Sequence, residues 1–438
     1  MKESGINQGP AFDRRLLIIS QVYPPDPAAV GQHLADVAEA MVQRGWRVTV
    51  YTASRGYDDP RVRYSSREKR GGVDVRRLAL SSFGKRSIVI RLLAQLLFVA
   101  QALPRCILHS RVSCLLVSTS PPFAGFFGAI AAAIRRVPLV WWVMDVNPDQ
   151  LIAVGRVRAS SWAVRAFDWM NRRALGAARS VIVLDRYMSE VMQRKSTVPI
   201  SMQVIHPWAA AELQVAAAPA QNRFRDSLQC DGRLVVMYSG NHAITSPLTT
   251  LLAAVQSMGH TGRLQFVFVG GGAGKADVDR LIVERPELPV RSLPYQPRES
   301  LHSALAAADV HVVSLADEAV GLVHPCKLYG AMAARRPIIA LAPADSYLGE
   351  IVASHGIGWR VSQGDVAGMV AVLQELQEAG SARLRTMGEI AGEVASRIFS
   401  RDRAVAAVCD VIDRVATPSD REPPAALDRG LPQPRSYS

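Results

Sequence analysis

Cysteine is scarce in this 438-residue chain and is not spaced for any joint task. The five cysteines, at 106, 114, 230, 326 and 409, form no Cys-x-x-Cys pair and no zinc spacing. A disulfide framework and a structural zinc are therefore excluded, and free thiols in a reducing, cytoplasmic compartment are expected. The N-terminus has no apolar stretch before Leu16, so it does not read as a secretory signal. No apolar run reads as a transmembrane helix. Acidic residues are short in one half only. Residues 1–205 hold 29 Lys and Arg against 14 Asp and Glu, whereas residues 206–438 hold 22 against 24. The formal net charge of +13 thus belongs to the first half. That half is directed at something anionic. Without a helix-turn-helix, zinc-finger or RNA-binding pattern, nucleic acid is not the expected partner.

Hydrophobic residues are 49% and charged residues 20%, the composition of a globular protein. The run RLLIIS at 15–20 reads as a buried strand. The stretch at 33–45 has apolar positions Leu34, Val37, Ala38, Met41 and Val42 at helical spacing and closes at Gly45. With WRVTVYT at 46–52 this makes a βαβ unit, and strands and helices go on alternating to SVIVLD. The pattern breaks at VIHPW, 204–208, and restarts after Gly232, ending in one helical stretch over 383–415. The expected fold is α/β, with two Rossmann-like doubly wound domains facing a cleft. Its expected parts are a disordered N-terminus over 1–13, a first domain over 14–205, a linker over 206–231, a second domain over 232–397, a helix over 398–416 and a disordered tail over 417–438. The segment 87–104 stands outside the alternation. Ile88, Leu92, Leu96 and Val99 share a face, and Lys85, Arg86 and Arg105 flank it, which suits both a core helix and one lying at a membrane interface.

Several loops fall where such a fold binds ligands. Gly31 precedes a helix N-terminus, where the backbone can be approached and anions are favoured. The loop Tyr238–His242 is small and rich in hydrogen-bonding groups. Lys327 falls in the first turn of a helix that Pro325 can open. A cation there opposes the helix dipole unless an anion lies between the lysine and the free N–H groups; a solvated lysine is the plain alternative. The glycines at 270, 271, 272 and 274 with Lys275 miss the phosphate-loop spacing, because Val269 and Ala276 occupy the required positions. The Asp277-x-Asp279 tripeptide falls at a helix start, where acidic residues need no metal to explain them.

Taken in order, VTVYT, STSPP, DVNPD, VIHPW, YSGNH, FVGGG and PCKLYGAMAARRPIIA resemble the landmarks of the family 4 glycosyltransferases of GT-B fold. The resemblance is to the subgroup of O-antigen and colanic acid biosynthesis, and covers roughly residues 14–415. It implies transfer, with retention of configuration, of a hexosyl or N-acetylhexosaminyl group. The donor would be a nucleoside diphosphate sugar, UDP-linked, and the acceptor lipid- or saccharide-linked. It implies no metal and no cofactor, the nucleotide sugar being a substrate. With the basic first half it implies a peripheral place on the anionic inner membrane surface. By the same resemblance Gly31 matches the donor-binding glycine of the N-terminal loop, and Ser239, Gly240, Asn241 and His242 match the loop that faces the donor diphosphate. Leu293 and Tyr295 lie near the base, and Pro325, Lys327, Leu328 and Tyr329 form the helix start that holds the phosphates. Asp145 and Asp149 match the two acids of the subgroup motif and, with Lys327, are the catalytic candidates. The sequence departs from the pattern at two glutamate positions, where Leu322 and Gly330 stand, with Glu318 four residues early. It departs again at Asn147, where the subgroup has an aromatic. A sugar-nucleotide 2-epimerase and a non-catalytic partner subunit share this architecture and remain as alternatives.

Overall fold

The computed structural model describes residues 13–56, 59–81, 88–210, 213, 222–230, 232–259 and 262–417. Residues 1–12, most of 211–221 and 418–438, on which the expected disorder and much of the linker fall, lie outside them. The first sheet contains β1 (Arg15–Ile19), β2 (Arg47–Ala53), β3 (Arg67–Arg70), β4 (Val73–Leu78), β5 (Cys114–Ser118), β6 (Leu139–Trp142), β7 (Ser180–Val183) and β8 (Met202–Val204). Its strand order is β3-β4-β2-β1-β5-β6-β7-β8. Only the edge strand β3 is antiparallel, and its residues are mostly exposed. The second sheet contains β9 (Leu234–Ser239), β10 (Leu264–Val269), β11 (Val290–Leu293), β12 (Val310–Ser314), β13 (Ile338–Leu341) and β14 (Gly358–Val361). Its order, β11-β10-β9-β12-β13-β14, is the doubly wound order of a dinucleotide-binding sheet. The α/β class with two Rossmann-like halves is the observed architecture.

Central strands are covered on both faces by helices, which is why they read as continuous apolar runs. On one face of the first sheet Leu16, Ile18, Val50 and Val140 pack with the helix Ala29–Gln43. That helix ends as its sequence suggests: Gly45 at φ +83° donates to Val42 O at 2.9 Å, and Trp46 N reaches Met41 O at 3.0 Å. On the other face Leu17, Ile19, Leu115 and Val117 pack with Phe98 and Val99.

Two expectations are corrected. The helical stretch 383–415 is two helices, Ser381–Arg397 and Arg401–Ala416, the second falling on the separate helix expected over 398–416, and they serve different halves. The first covers the second half through Ala391 and Val394. The second crosses back and buries Val405, Val408, Cys409 and Ile412 in the first half's core. Arg44 and Trp46 hold Asp413 at 2.8 and 2.9 Å. Sequence periodicity is the same on both sides of the break, so it could not reveal the change of partner. The apolar segment is also longer than expected, a 21-residue helix, Ile88–Leu108, that continues through Pro104. By length and composition it could cross a membrane, yet a third of it is buried in this fold. The expected shared face is split, because Val99 is buried while Leu92 and Leu96 are exposed.

The crossing between halves is pinned. Trp208 Nε1 donates to Asp36 at 2.7 Å, and Arg401 holds the other Asp36 oxygen at 2.7 Å. His206 stacks on Tyr347 at 5.0 Å. Truncating Ile412, which is fully buried, should cost about 2–5 kcal/mol. Urea unfolding of Ile412→Ala, followed by the fluorescence of the first half's buried tryptophans, is expected to show that loss.

Candidate active site

The C-terminal strand ends of the two sheets meet. The backbone of Asp145, just beyond β6, makes an antiparallel bridge with Val323, and Val146 N donates to Leu322 O at 2.8 Å. The segment 322–327 therefore runs along the floor between the halves.

That segment is fixed by a buried polar chain. His324 Nδ1 lies 2.6 Å from Asp185 Oδ2, and its Nε2 lies 2.7 Å from Tyr329 Oη. Asp185 belongs to the first half, where its other oxygen caps the helix Arg186–Lys195 by accepting from Met188 N at 2.8 Å. Burial alone would raise the Asp185 carboxyl, but its bonds to His324 and Met188 hold it below its ordinary value. Arg186 and Tyr187 reach Glu350 of the second half beside it.

Immediately after this anchor, Pro325 and Cys326 lead into the helix Lys327–Ala333. The Lys327 ammonium lies 5.2 Å over the Tyr238 ring, and no carboxylate pairs with it among the described residues. Burial pulls its pKa down to about 8. Its stem passes Gly240, where φ is +124° and a Cβ would come 2.8 Å from Lys327 Cε. The positive φ is what calls for glycine at 240, since the flexible lysine stem could shift.

Across the floor the half-buried Asp145 carboxyl is pushed up to about 6 by burial, with no ion pair among the described residues. It is close enough to Cys326 to add to the burial that raises that thiol to about 12. An uncompensated carboxylate and an uncompensated ammonium thus flank one turn. Shifts of this kind mark sites prepared for chemistry.

The other candidates divide. Ser239, Gly240 and Asn241 form an accessible loop that Tyr238 Oη fixes by donating to Asn241 O at 2.9 Å. His242 is buried, and its Nδ1 donates to Gly240 O at 3.1 Å. Its Nε2, without a partner among the described residues, is left as an acceptor. Burial first, and Lys275 next, push this imidazole down to about 4. The Nε2 nitrogen is itself buried, so the ring does not face the opening and serves the loop from behind. Leu293 accepts from Lys275 Nζ at 2.5 Å through its carbonyl, and Tyr295, half exposed, donates to Gly271 O at 3.2 Å. Four more candidates do not present side chains to the opening. Leu328 and Tyr329 are buried, the latter turned to His324. Asp149 is paired with Lys195 at 2.8 Å, which also holds Asp168 at 2.8 Å. Gly31 lets its helix close on the Tyr23 backbone, where a Cβ would lie at 3.0 Å, so its smallness serves packing.

The departures from the glutamate pattern are also placed. Leu322 offers its carbonyl to Val146, and a Cβ on Gly330 would meet Leu305 Cδ1 at 3.3 Å. Glu318 lies elsewhere, in the wall of a cavity of about 370 Å³ with Thr249, Thr250 and Gln363. Asp185 and His324 escaped sequence reasoning. The only signal was His324 within the HPCK turn. Among the described residues no group of three or more His, Cys, Asp or Glu is placed to hold a metal.

Comparison with known proteins bears on the family and the fold. Residues 28–208 match the model of the glycosyl transferase 4-like domain, and residues 233–379 that of glycosyl transferases group 1. The chain is 27% identical to the probable glycosyltransferase WbjE of Pseudomonas aeruginosa over 59% of its own length and 64% of that relative, just short of two thirds of it. It is 22% identical to WcaI of Escherichia coli K12, a candidate colanic acid biosynthesis glycosyl transferase, over 82% of this chain and 91% of the other. In fold it is similar to sucrose-phosphate synthase from Thermosynechococcus elongatus, with TM-score 0.71 and 18% identity over 92% and 99% of the two chains. Anabaena HepE, solved with UDP and glucose, follows at TM-score 0.67 and 17% identity over 92% and 100%.

Removing one member of the buried chain strands the other. His324→Ala should lower stability by about 3–5 kcal/mol, because Asp185 stays buried without its partner. Asp185→Asn/His324→Gln, which replaces the charge by neutral groups, should recover much of that loss. Urea midpoints of the three proteins measure both effects.

Proposed function

The chain belongs to the glycosyltransferases that join a glycosyl transferase 4-like domain to a group 1 domain, and on that premise we propose that it builds a cell-surface polysaccharide with a UDP-sugar as donor. The acceptor is a lipid- or saccharide-linked sugar hydroxyl, met on the basic first half at the inner face of the membrane. The transferred group is a hexosyl or N-acetylhexosaminyl unit, and its anomeric configuration is retained. The observation that carries this reading is the unpaired, half-buried Lys327 at the start of its helix, set against Asp145 on the opposite strand end.

In this reaction the bond between the anomeric carbon and the diphosphate oxygen breaks, and its electron pair leaves with UDP. Lys327 and the loop Ser239–Asn241 receive the charge that develops on the departing diphosphate. The acceptor oxygen bonds to the anomeric carbon, and its proton passes to the Asp145 carboxylate. Closing the halves over the donor keeps water from competing with the acceptor. Position 330 faces Leu305, so the ribose is met by other groups of the second half.

Lys327→Ala should lower kcat on the order of 100-fold, as loss of a charge-stabilising donor does. The free-enzyme profile of kcat/KM should be bell-shaped. It falls below about pH 6 as Asp145 takes up its proton, and above about pH 8 as Lys327 loses its own. Asp145→Asn should remove the acid limb along with most of the rate. A panel of UDP- and GDP-sugars, with and without undecaprenyl-linked acceptor and read by nucleotide release, tests the whole assignment. Acceptor-dependent release of UDP is expected. An epimer formed from the donor alone would make the chain an epimerase, and absence of nucleotide-sugar binding by the folded protein would make it a non-catalytic subunit.

A further inference from the structure

At the edge of the first sheet away from the cleft, where β1 and β2 begin, a cavity of about 740 Å³ opens beyond the last turn of the helix Ile88–Leu108. Strand register explains its chemistry. Arg15 lies opposite Arg47, Thr49 and Lys69 lie on either side of Asp74, and Tyr51 lies opposite Arg76. With a period of two, all of these share one face of the sheet. The helix covers that face where Leu17, Ile19 and Tyr51 pack with Phe98 and Cys106. It stops at Leu108, and the part of the face left uncovered is the cationic part.

Like charges directly opposite one another in a sheet repel, and two such pairs stand here, Arg15 with Arg47 and Arg67 with Arg76. Asp13 bridges the first pair at 2.7 and 3.1 Å, and Asp74 bridges the second at 3.0 and 2.7 Å. Both Asp74 oxygens are then engaged by arginine, and Lys69 is left without a carboxylate partner among the described residues. Arg105 has none either and donates to the Gln101 carbonyl at 2.8 Å. The wall thus carries Arg15, Arg47, Lys69, Arg76 and Arg105 against Asp13 and Asp74, and five cations against two carboxylates leave three positive charges over. A concave wall of one sign concentrates its field on whatever enters.

Such a surplus suits a dianion, and guanidinium forks match the oxygens of a phosphate. The rest of the wall is polar. Tyr51 Oη lies 3.2 Å from His109 Nδ1, and Ser110 Oγ accepts from Arg15 at 3.3 Å. Burial first, then Arg76 and Arg15, hold the His109 imidazole below its ordinary pKa, so it stays neutral and is fit to meet hydroxyls. Trp46 and Val48 are buried, which leaves Val42 and Leu108 as the apolar side chains of the wall that reach solvent. The volume is that of a small-molecule site.

We propose that this cavity is a second binding site of the protein, taken by a soluble phosphate monoester of a polyhydroxyl compound, with the surplus cations meeting its phosphate and Tyr51, His109 and Ser110 meeting its hydroxyls. The site lies at the opposite end of β1 from the cleft and would stand if the chain transferred no sugar.

Titration calorimetry with glucitol 6-phosphate, against gluconate and glucitol, tests it. The wild type should bind the phosphate saturably, gluconate more weakly and glucitol not at all. Lys69→Ala/Arg105→Ala, at two exposed positions, should weaken binding of the phosphate roughly tenfold. Lys327→Ala, altered in the cleft, should bind it as the wild type does. UDP-sugar binding should be unchanged in the Lys69→Ala/Arg105→Ala protein, so failure here is distinguishable from failure of the transferase reading. No binding by the wild type, undiminished binding by the lysine–arginine variant, or loss of binding in Lys327→Ala would overturn the proposal. Gluconate bound as tightly as the phosphate would overturn the choice of a phosphate, and capture of phosphatidylglycerol vesicles without binding of glucitol 6-phosphate would overturn the choice of a soluble ligand.

Discussion

The pair formed by Asp185 and His324 sets the terms for everything around the cleft. A carboxylate removed from water is tolerable only with a partner of good geometry and its remaining oxygen satisfied, and Asp185 has both. Because its partner belongs to the other half, the two halves cannot separate at this point without exposing the pair. The turn that follows His324 inherits that rigidity. Pro325, Cys326 and Lys327 are held from behind by a bond to the first half and from below by Tyr329, so the ammonium is positioned by groups that never touch a ligand.

Legibility in the sequence followed the number of physical demands a segment meets. Strands β1, β5, β6 and β12, buried on both faces, declared themselves as short apolar runs. The helix Ala29–Gln43 was legible in its apolar positions Leu34, Val37, Ala38 and Met41, all of them buried. The edge hairpin of β3 and β4 was missed, since its residues are chiefly charged and no face of β3 is buried. At the site, Lys327 was legible because a cation at a helix start is anomalous by itself. Asp149 looked equal to Asp145 in the motif, and only the neighbouring Lys195, brought in from a distant helix, separates the paired carboxylate from the free one. Gly31 was read as a ligand approach when the thing approaching is the chain's own Tyr23 backbone. His324 stood in the HPCK turn, but its role could not be read there, because that role depends on a residue 139 positions earlier.

The charge asymmetry has become a matter of place. In the first half much of the excess is locally balanced, as in the clasp of Arg44 by Asp410 and Asp413 or the pairing of Arg77 with Glu68. The surplus that remains accumulates where β1 and β2 start. The second half needs little charge of its own, because burial makes the single Lys327 count for more than a solvated lysine would.

The return of the helix Arg401–Ala416 to the first half also constrains the order in which the molecule can be made. A sheet whose strands are complete by Val204 receives part of its cover from a helix that begins at Arg401. At about 5–20 residues per second, the ribosome takes roughly 10 to 40 seconds to supply it. During that interval the second half is finished while the first still exposes apolar surface, so the later domain is in a position to fold before the earlier one is sealed. For the first half, completion waits on the synthesis of the second.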